Sequence, residues 1–310
     1  MIKYIFKRLL LMIPVVIGIS IIIFFIMSLS PGDPARLILG ERASAEDCAQ
    51  LRHEMGLDKP LPVQYLNYIS NVLKGDFGIS YRTKRHVMDE FLIKFPVTIK
   101  LSIYSILIAV VVGIPIGIIS AVKQYSVFDK ISTLIALIGT SIPPFWLGLM
   151  LILLFSLHFR LLPANGIEGF KSYILPSITL SSVTLTYLVR VTRSSLLEVI
   201  REDYIRTARS KGAKENSIII KHALNNALIP VITTAGVQFG YMLGGSVITE
   251  TVFAIPGLGR FLITGIRNGE TAIVMGSCLL LAVSFSVVNL VVDILYAFLD
   301  PRIKAQYSRG

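Results

Sequence analysis

The chain has 310 residues, of which 54% are hydrophobic and only 16% are charged. A soluble domain averages about 45–50% apolar and about 25% charged residues, so the composition excludes an ordinary water-soluble globule and favours an integral membrane protein. The formal net charge is +11, but the placement of Lys and Arg described below accounts for it without a nucleic-acid partner.

Six apolar blocks follow one another along the chain, with the charged residues collected between them. A helix needs roughly 20 apolar residues to cross a hydrocarbon core about 30 Å thick. All six blocks approach this length, although the fourth is short and rich in Ser and Thr. The sequence therefore predicts an all-α integral membrane protein with about six transmembrane helices. The blocks cover approximately 9–29, 97–122, 131–157, 173–189, 227–249 and 272–299.

The first block follows Lys3, Lys7 and Arg8, as the apolar part of a signal peptide would. Its apolar run is longer than the usual stretch of about 7–15 residues, and no small-x-small cleavage site follows it. We therefore predict that residues 1–30 are an uncleaved N-terminal transmembrane anchor.

A different kind of segment, residues 31–96, lies between the first two blocks. It opens with the turn signals of Pro31-Gly32-Asp33-Pro34. Helical periodicity then predicts short helices over 45–55 and 62–73. We expect a folded extracytoplasmic cap here, with a flexible loop as the alternative.

The distribution of basic residues predicts the orientation, because Lys and Arg stay on the cytoplasmic side of short loops. Four segments on one side hold sixteen basic residues, whereas the two short loops on the other side hold four. Both chain ends are thus expected in the cytoplasm, with a five-helix core over 97–299 and a cytoplasmic tail over 300–310. The basic segments are 1–8, 122–130, 190–226 and 300–310, and the two opposite loops are 158–172 and 250–271.

Glycines recur at a spacing that lets two membrane helices approach closely. The fifth block contains Gly236, Gly240 and Gly244, and the second contains Gly113 and Gly117. We predict that these residues pack helices together in a bundle.

Polar residues inside membrane helices are costly and usually face a cavity or one another. Hydroxyl residues fill the fourth block, and others accompany an amide in the fifth. They are interpreted as the lining of a translocation path, with interhelical hydrogen bonding as the alternative. The path residues that we predict are Ser181, Thr184, Thr233 and Gln238. In the last block, Asn289 and Asp293 lie one turn apart, and a structural partner such as a cytoplasmic-side Arg is preferred over a functional role for Asp293.

The chain offers little chemistry of its own. Its two cysteines and four histidines are scattered and show no metal-ligand spacing. It also lacks the GxxxxGK[ST] phosphate loop of an ATPase. We therefore predict no catalytic residue, no metal site and no cofactor bound by this chain.

The most informative segment is the long basic loop 190–226. Asp203 at the start, Lys211 at the end and Gly212 just beyond predict a short helix, because acids suit a helix N-terminus, cations suit its C-terminus and Gly supplies a left-handed cap. A surface helix between two spans suits a groove on a soluble partner. Tyr204, Ile205 and Ala208 are expected to form the docking face, flanked by Arg206 and Arg209.

This loop resembles the E-A-A-x3-G-x9-I-x-L-P loop of ABC importer permeases. Arg206-Thr207-Ala208, followed by three residues and Gly212, matches the first half of that pattern. The chain departs from it at Arg206, Thr207, His222 and Asn225. The form Asp-Tyr-x-Arg-Thr-Ala-Arg-x-Lys-Gly is similar to the dipeptide/oligopeptide/nickel branch of the family.

Other segments that are similar to this branch occur in order along nearly the whole chain. They are Pro31-Gly32-Asp33-Pro34 and the stretches 56–61, 75–80, 249–260 and 300–303, together with Asn289 and Asp293. The resemblance implies a type I ABC importer permease fold. It also implies that the loop couples the chain to an ATPase through Asp203, Tyr204, Ile205, Arg206, Thr207, Ala208, Arg209, Lys211, Gly212 and Ala213.

The same resemblance implies partners and a location. The expected partners are a second homologous permease subunit, two ABC ATPase subunits that hold ATP and Mg, an extracytoplasmic solute-binding protein and the lipid bilayer. The chain would be a multi-pass protein of the bacterial cytoplasmic (inner) membrane. Di- and oligopeptides are the expected substrates, with glutathione, nickel chelates or opines as alternatives. A secondary transporter or a channel is the alternative class, but it would not need the helix of loop 190–226 and would more often bury charges along its path. An intramembrane enzyme would need a nucleophile–base pair or metal ligands within its spans.

Overall fold

The computed structural model describes residues 2–29, 33–40 and 42–299. Helices are the regular secondary structure of these residues, and the isolated bridge between Ile79 and His86 is the one β-type pairing within them. The predicted tail 300–310 lies outside the described residues. The helices are α1 Ile2–Leu29, α2 Pro34–Leu39, α3 Ala45–Glu54, α4 Leu61–Leu73, α5 Val87–Val122, α6 Val127–Ser141, α7 Pro144–Leu151, a π-helical segment Ile152–His158, α8 Lys171–Ile200, α9 Asp203–Ser210, α10 Glu215–Ser217, a second π-helical segment Ile218–Ala223, α11 Leu224–Val252, α12 Leu258–Arg267 and α13 Thr271–Leu299.

Five stretches of described helix are long and apolar enough to cross a membrane. A sixth is obtained when α6 and the segment Pro144–His158 are counted as one span bent by 102°. The expectation of about six transmembrane helices agrees with this range of five to six. The five unbroken stretches are Arg8–Leu29, Val87–Val122, Lys171–Ile200, Glu215–Val252 and Thr271–Val292.

The third predicted block, 131–157, is not one straight helix, because the chain bends sharply between α6 and α7. Proline lacks an N–H and disfavours the helical conformation in the residue before it. Accordingly, Ile142 has a ψ of 121° and Pro143 has a ψ of 133°, both outside the helical region. Pro144 then takes the first position of α7, where proline is well tolerated.

One compact unit contains Ile99–Ile255 and the part of α13 from Val287. Within it α6, α7 and α11 all pack against α8. The α5 helix also approaches α8 closely, since a Cβ on Gly113 would lie 3.1 Å from the carbonyl oxygen of Leu185 and one on Gly117 would lie 2.8 Å from that of Val189. The close packing predicted for this glycine pair is therefore confirmed.

The three glycines of α11 have different surroundings. A Cβ on Gly236 would overlap the side chain of Val292 in α13. Gly240 is buried, whereas Gly244 is exposed and a Cβ there would meet no described atom within 4 Å. Within the described chain, close approach to another helix is thus seen at Gly236 and not at Gly244.

The second unit contains residues 6–98 together with Pro256–Ser286. Its core is apolar, and stretch 75–80 packs against it: Phe77 lies beside Gly276, and the Ser80 hydroxyl donates to the buried Glu270 carboxylate at 2.6 Å. The core residues are Val87, Phe91, Leu258, Phe261, Ile273 and Leu280.

An ion pair fixes the start of the segment that follows α1. The Arg52 guanidinium on α3 donates to both oxygens of Asp33 at 3.1 Å and 2.6 Å, and holds the pKa of that carboxyl below its ordinary value. Helices α3 and α4 begin and end within one residue of their predicted bounds. The described residues of the segment therefore form helices held together by an ion pair, while the extracytoplasmic position of the cap stays a prediction.

Candidate functional site: the loop between α8 and α11

The predicted surface helix exists, and α9 begins almost where α8 ends. The chain turns at Arg201 and Glu202, whose backbone N–H groups donate to the carbonyls of Glu198 and Val199. Asp203 lies in the first turn of α9 and Arg209 in the last, so both charges complement the helix dipole.

The end of α9 has the hydrogen bonds of a Schellman motif. Gly212 has a φ of 79°, and its N–H donates to the Arg209 carbonyl at 2.9 Å. The N–H of Ala213 donates to the Ala208 carbonyl at 3.3 Å. The left-handed turn at Gly212 therefore fixes both the length of α9 and the direction in which the chain leaves it.

One face of α9 is anchored in the chain's own core. Ile205 is completely buried in an apolar cluster with residues from α5, α8 and the start of α11, and Ala208 and Ala213 pack against the same cluster. The expectation that Ile205 belongs to an outward docking face is therefore wrong, because its side chain points inward. Ala208 is half-buried, and its contact with a partner stays a prediction. The other fully packed members of the cluster are Ala121, Leu196, Ile218, Ala223 and Ala227.

Two polar contacts hold α9 to the segment that follows it. The Tyr204 hydroxyl accepts a hydrogen bond from the Asn226 amide at 2.8 Å and donates to the His222 carbonyl at 3.4 Å. The Arg209 guanidinium binds both carboxylate oxygens of Glu215, at 2.7 Å and 3.2 Å, and this carboxylate raises the pKa of Arg209. Tyr204 and Arg209 thus bind their own chain, yet both remain exposed, and their contact with a partner stays a prediction.

The remaining predicted residues form the outward face of the helix. Asp203, Arg206, Thr207 and Lys211 are all exposed. The contact between Arg206 and Asp203 is 3.5 Å long and solvent-exposed, so it contributes little to stability. We call Asp203, Arg206, Thr207 and Lys211 the outward face of α9.

An ion pair that the sequence analysis missed ties α6 to α8 near this loop. The Arg193 guanidinium donates to both oxygens of Asp129, at 2.7 Å and 2.8 Å, and Asp129 also accepts from the Ser120 hydroxyl and from the Tyr125 N–H at 2.9 Å. The Asp129 side chain is only 4% exposed. Ser126 caps the N-terminus of α6 three residues before Asp129, and this S-x-x-D spacing was the one local signal available.

A polar groove of about 550 Å³ lies between the end of α8 and the start of α9. It carries three acidic and two basic side chains, so it suits polar and charged groups rather than apolar ones. Its walls are Arg193, Ser194, Leu197, Glu198, Arg201, Glu202 and Asp203.

The predicted path residues are placed on α8 and α11 but make local contacts. The Ser181 hydroxyl donates to the Ile178 carbonyl at 3.0 Å and the Thr233 hydroxyl to the Ile229 carbonyl at 3.0 Å, each within its own helix. Thr184 is buried and Gln238 is half-buried. The translocation path stays a prediction.

Two models of known protein families together match nearly the whole chain. The sequence model described as "Binding-protein-dependent transport system inner membrane component" matches residues 113–305. A second model, described as the N-terminal part of a binding-protein-dependent transport system membrane component, matches residues 1–102.

Two relatives from Escherichia coli (strain K12) are similar over almost their full length. The dipeptide transport system permease protein DppB is 42% identical, over 98% of this chain and 99% of the relative. The glutathione transport system permease protein GsiC is 43% identical, with the same coverage of both chains.

Solved structures agree on the fold. A structure of the MetNI methionine ABC transporter in an inward-facing conformation matches 69% of this chain and 97% of its own, with a TM-score of 0.56 and 22% identity. An amino acid ABC transporter with histidines matches 69% of this chain and 94% of its own, with a TM-score of 0.54 and 16% identity. The fold is thus that of a type I ABC importer permease.

Proposed function

Because the chain belongs to the family of binding-protein-dependent inner-membrane permeases of ABC transporters, we propose that it is the permease subunit of an importer for di- and oligopeptides. The observation that carries this proposal is the anchoring of α9. Ile205 fixes the helix to the core of the transmembrane bundle, while its outward face stays available to a partner.

The proposed assembly contains a second homologous permease, two ABC ATPase subunits and an extracytoplasmic solute-binding protein. ATP and Mg²⁺ are bound and used by the ATPase subunits, since this chain has no phosphate loop. The excess of Lys and Arg in segments 1–8, 122–130, 190–226 and 300–310 supports cytoplasmic chain ends. The outward face of α9 then lies on the ATPase side of the membrane.

We propose that α9 moves with the bundle when the ATPases close. Its apolar contacts join it to α5, α8 and α11, and the ion pair between Asp129 and Arg193 joins α8 to α6. A displacement of α9 is therefore passed to several spans together, as a two-state switch between inward- and outward-open forms requires. In this scheme the chain binds and moves but catalyses nothing.

Short peptides are the substrate class that the relatives support. The dipeptide and glutathione permeases are nearly equally similar to this chain, and glutathione is itself a small peptide. Ser181, Thr184, Thr233 and Gln238 remain the proposed lining of the path. Nickel chelates and opines are the alternative cargoes within the same machinery.

The test is uptake by the complete transporter in sealed vesicles, with the cognate binding protein outside and ATP inside. We expect ATP-dependent accumulation of labelled dipeptides, with glutathione and a nickel chelate as competitors that rank the substrates. Uptake driven by an ion gradient without ATP would favour a secondary transporter, and passive equilibration would favour a channel. Either result would overturn the proposal.

A further inference from the structure

Helix α4 has an unusual composition for a segment expected outside the membrane. Its 13 residues contain no charged side chain, and Lys59 and Lys74 stand just beyond its two ends. At about 1.5 Å per residue it is roughly 20 Å long, too short to cross a hydrocarbon core of about 30 Å. It can therefore lie in water or within one leaflet, but it cannot span the bilayer.

Contacts with α1 fix the depth of α4. The Tyr65 hydroxyl shares a hydrogen bond of 2.9 Å with the Ser20 hydroxyl, and the rings of Tyr65 and Tyr68 lie 5.4 Å and 6.4 Å from that of Phe24. The membrane-spanning stretch of α1 is Arg8–Leu29. At about 1.5 Å per residue, Ser20 is roughly 13 Å along the helix axis from Leu29 and roughly 18 Å from Arg8. Tyr65 therefore contacts the interior of a membrane span, whichever way α1 is oriented.

One edge of α4 carries exposed apolar side chains. Leu66 is 65% exposed and Leu73 is 82% exposed. These two leucines, with Ile69 between them, follow the i, i+3, i+7 spacing of one helix edge. Asn67, Asn71 and Lys74 are exposed along a different edge. Such an amphipathic division is typical of a helix that lies at a membrane interface.

We propose that α4 is embedded in one leaflet of the bilayer, with Leu66 and Leu73 against phospholipid acyl chains. Asn67 and Asn71 then point toward the headgroups, and Lys74 extends its ammonium group to the same level. A soluble protein cannot cover this edge, because the contact with Ser20 lies below the headgroup region. The lipid surface of α4 is continuous in depth with that of α1, where Ile22 and Ile26 are 59% and 60% exposed.

This placement of α4 changes the expected cap over 31–96. Part of that segment belongs to the membrane, so α4 fixes α1 laterally within one leaflet and does not lie above the bilayer. The function proposed above does not depend on this placement.

The test uses tryptophan fluorescence, since Trp146 is the one tryptophan of the sequence. In a Trp146→Phe background, a tryptophan replaces Leu66 or Leu73, and Asn71→Trp is the matched control on the polar edge. Each variant is reconstituted as the complete transporter in phosphatidylcholine vesicles, with and without brominated acyl chains, and the emission of the Trp146→Phe transporter is subtracted so that tryptophans of the other subunits do not contribute. Because both leucines are exposed, neither replacement removes a core contact.

Leu66→Trp and Leu73→Trp are expected to lose most of their emission to brominated lipid and to resist quenching by aqueous iodide. Asn71→Trp is expected to show the weaker response to bromine and the stronger response to iodide. Quenching of both leucine variants by iodide but not by bromine would place α4 in water. Protection from both quenchers would place it against another protein. Either outcome overturns the inference.

Discussion

At the residue scale, the backbone conformation requires a glycine at position 212, and lack of space for a side chain does not. Its φ of 79° lies in the left-handed region, whereas a Cβ on it would meet no described atom within 4 Å. There is therefore room for a side chain, but the left-handed backbone conformation is unfavourable for most residues. Gly adopts it readily, and Asn and Asp adopt it at a smaller cost than other residues. The residue determines the direction of the chain after α9.

Replacing Gly212 by Val should cost roughly 1–2 kcal/mol in the left-handed conformation, which is too little to prevent membrane insertion. We expect normal amounts of chain in the membrane but reduced ATP-driven uptake, because α9 is misdirected. Gly212→Asn is the matched control, since Asn tolerates this conformation, and it should keep most of the uptake. Equal uptake by the Val variant and the wild type would show that the turn does not position α9.

A substitution at Ala208 tests whether this side chain stabilises the loop or contacts a partner. Its side chain packs on the buried cluster around Ile205, so Ala208→Glu brings a carboxylate against apolar atoms and should destabilise the loop by about 1–3 kcal/mol. We expect faster protease cleavage of loop 190–226 and a lower melting temperature. Arg206→Glu, on the outward face, should leave both unchanged. An Ala208→Glu chain with wild-type stability would mean that this side chain points to a partner after all.

At the element scale, the contacts between helices determine which helices a displacement of loop 190–226 would reach. The pair Asp129–Arg193 joins α6 to α8 with two parallel hydrogen bonds, and the carboxylate is almost fully buried. Charge-assisted, bidentate contacts of this kind are stronger and more directional than exposed ion pairs. The pair therefore holds α6 and α8 together at this point.

Asp129→Asn keeps the size of the side chain but removes its charge. We expect a loss of about 1.5–3 kcal/mol of stability, the usual contribution of hydrogen bonds to a charged group. Arg193→Lys should also destabilise, because Lys cannot make the two parallel bonds. The double variant measured in a thermodynamic cycle should be less harmful than the two single effects added together. Simple additivity would show that the two residues do not interact.

The glycines of α11 offer a second comparison between helices. Gly236→Leu should push α11 away from α13, because the Val292 side chain already occupies the space beside Gly236. The melting temperature of the chain should therefore fall. Gly244→Leu should not affect it, since no described atom of the chain lies nearby. Co-purification of the second permease is the further readout, and its loss in Gly244→Leu alone would assign that part of the stripe to the subunit interface. An unchanged melting temperature for Gly236→Leu would contradict the packing.

The ends of short helices were predictable because their signals are local. Ser44 caps α3 and Gly212 follows α9, and both patterns are visible in the sequence. The bend before Pro143 was not predicted, because the apolar residues on both sides of it form one run of the length expected for a single span. The Pro143-Pro144 pair was the available signal for a break. The pair Asp129–Arg193 joins residues 64 positions apart, and the inward direction of Ile205 depends on tertiary packing. Neither could be deduced from spacing alone.

At the scale of the whole molecule, we propose a membrane bundle in which the outward face of α9 receives movement from a separate ATPase. Family membership places the chain among ABC importer permeases. The structure adds that α9 contacts its own chain through Ile205, Tyr204 and Arg209 and that its outward face is built from charged and polar residues. The central claim is that this face couples ATP hydrolysis to transport.

The most direct test measures ATP hydrolysis by the reconstituted transporter with and without loaded binding protein, for the wild type and for Arg206→Glu. Arg82→Glu, an exposed arginine in the segment between α4 and α5, is the matched charge reversal away from the loop. We predict that Arg206→Glu assembles with normal stability but loses both stimulation of hydrolysis and peptide uptake, while Arg82→Glu keeps stimulation. Wild-type stimulation and uptake in Arg206→Glu would contradict the assignment of the outward face of α9 as the coupling surface.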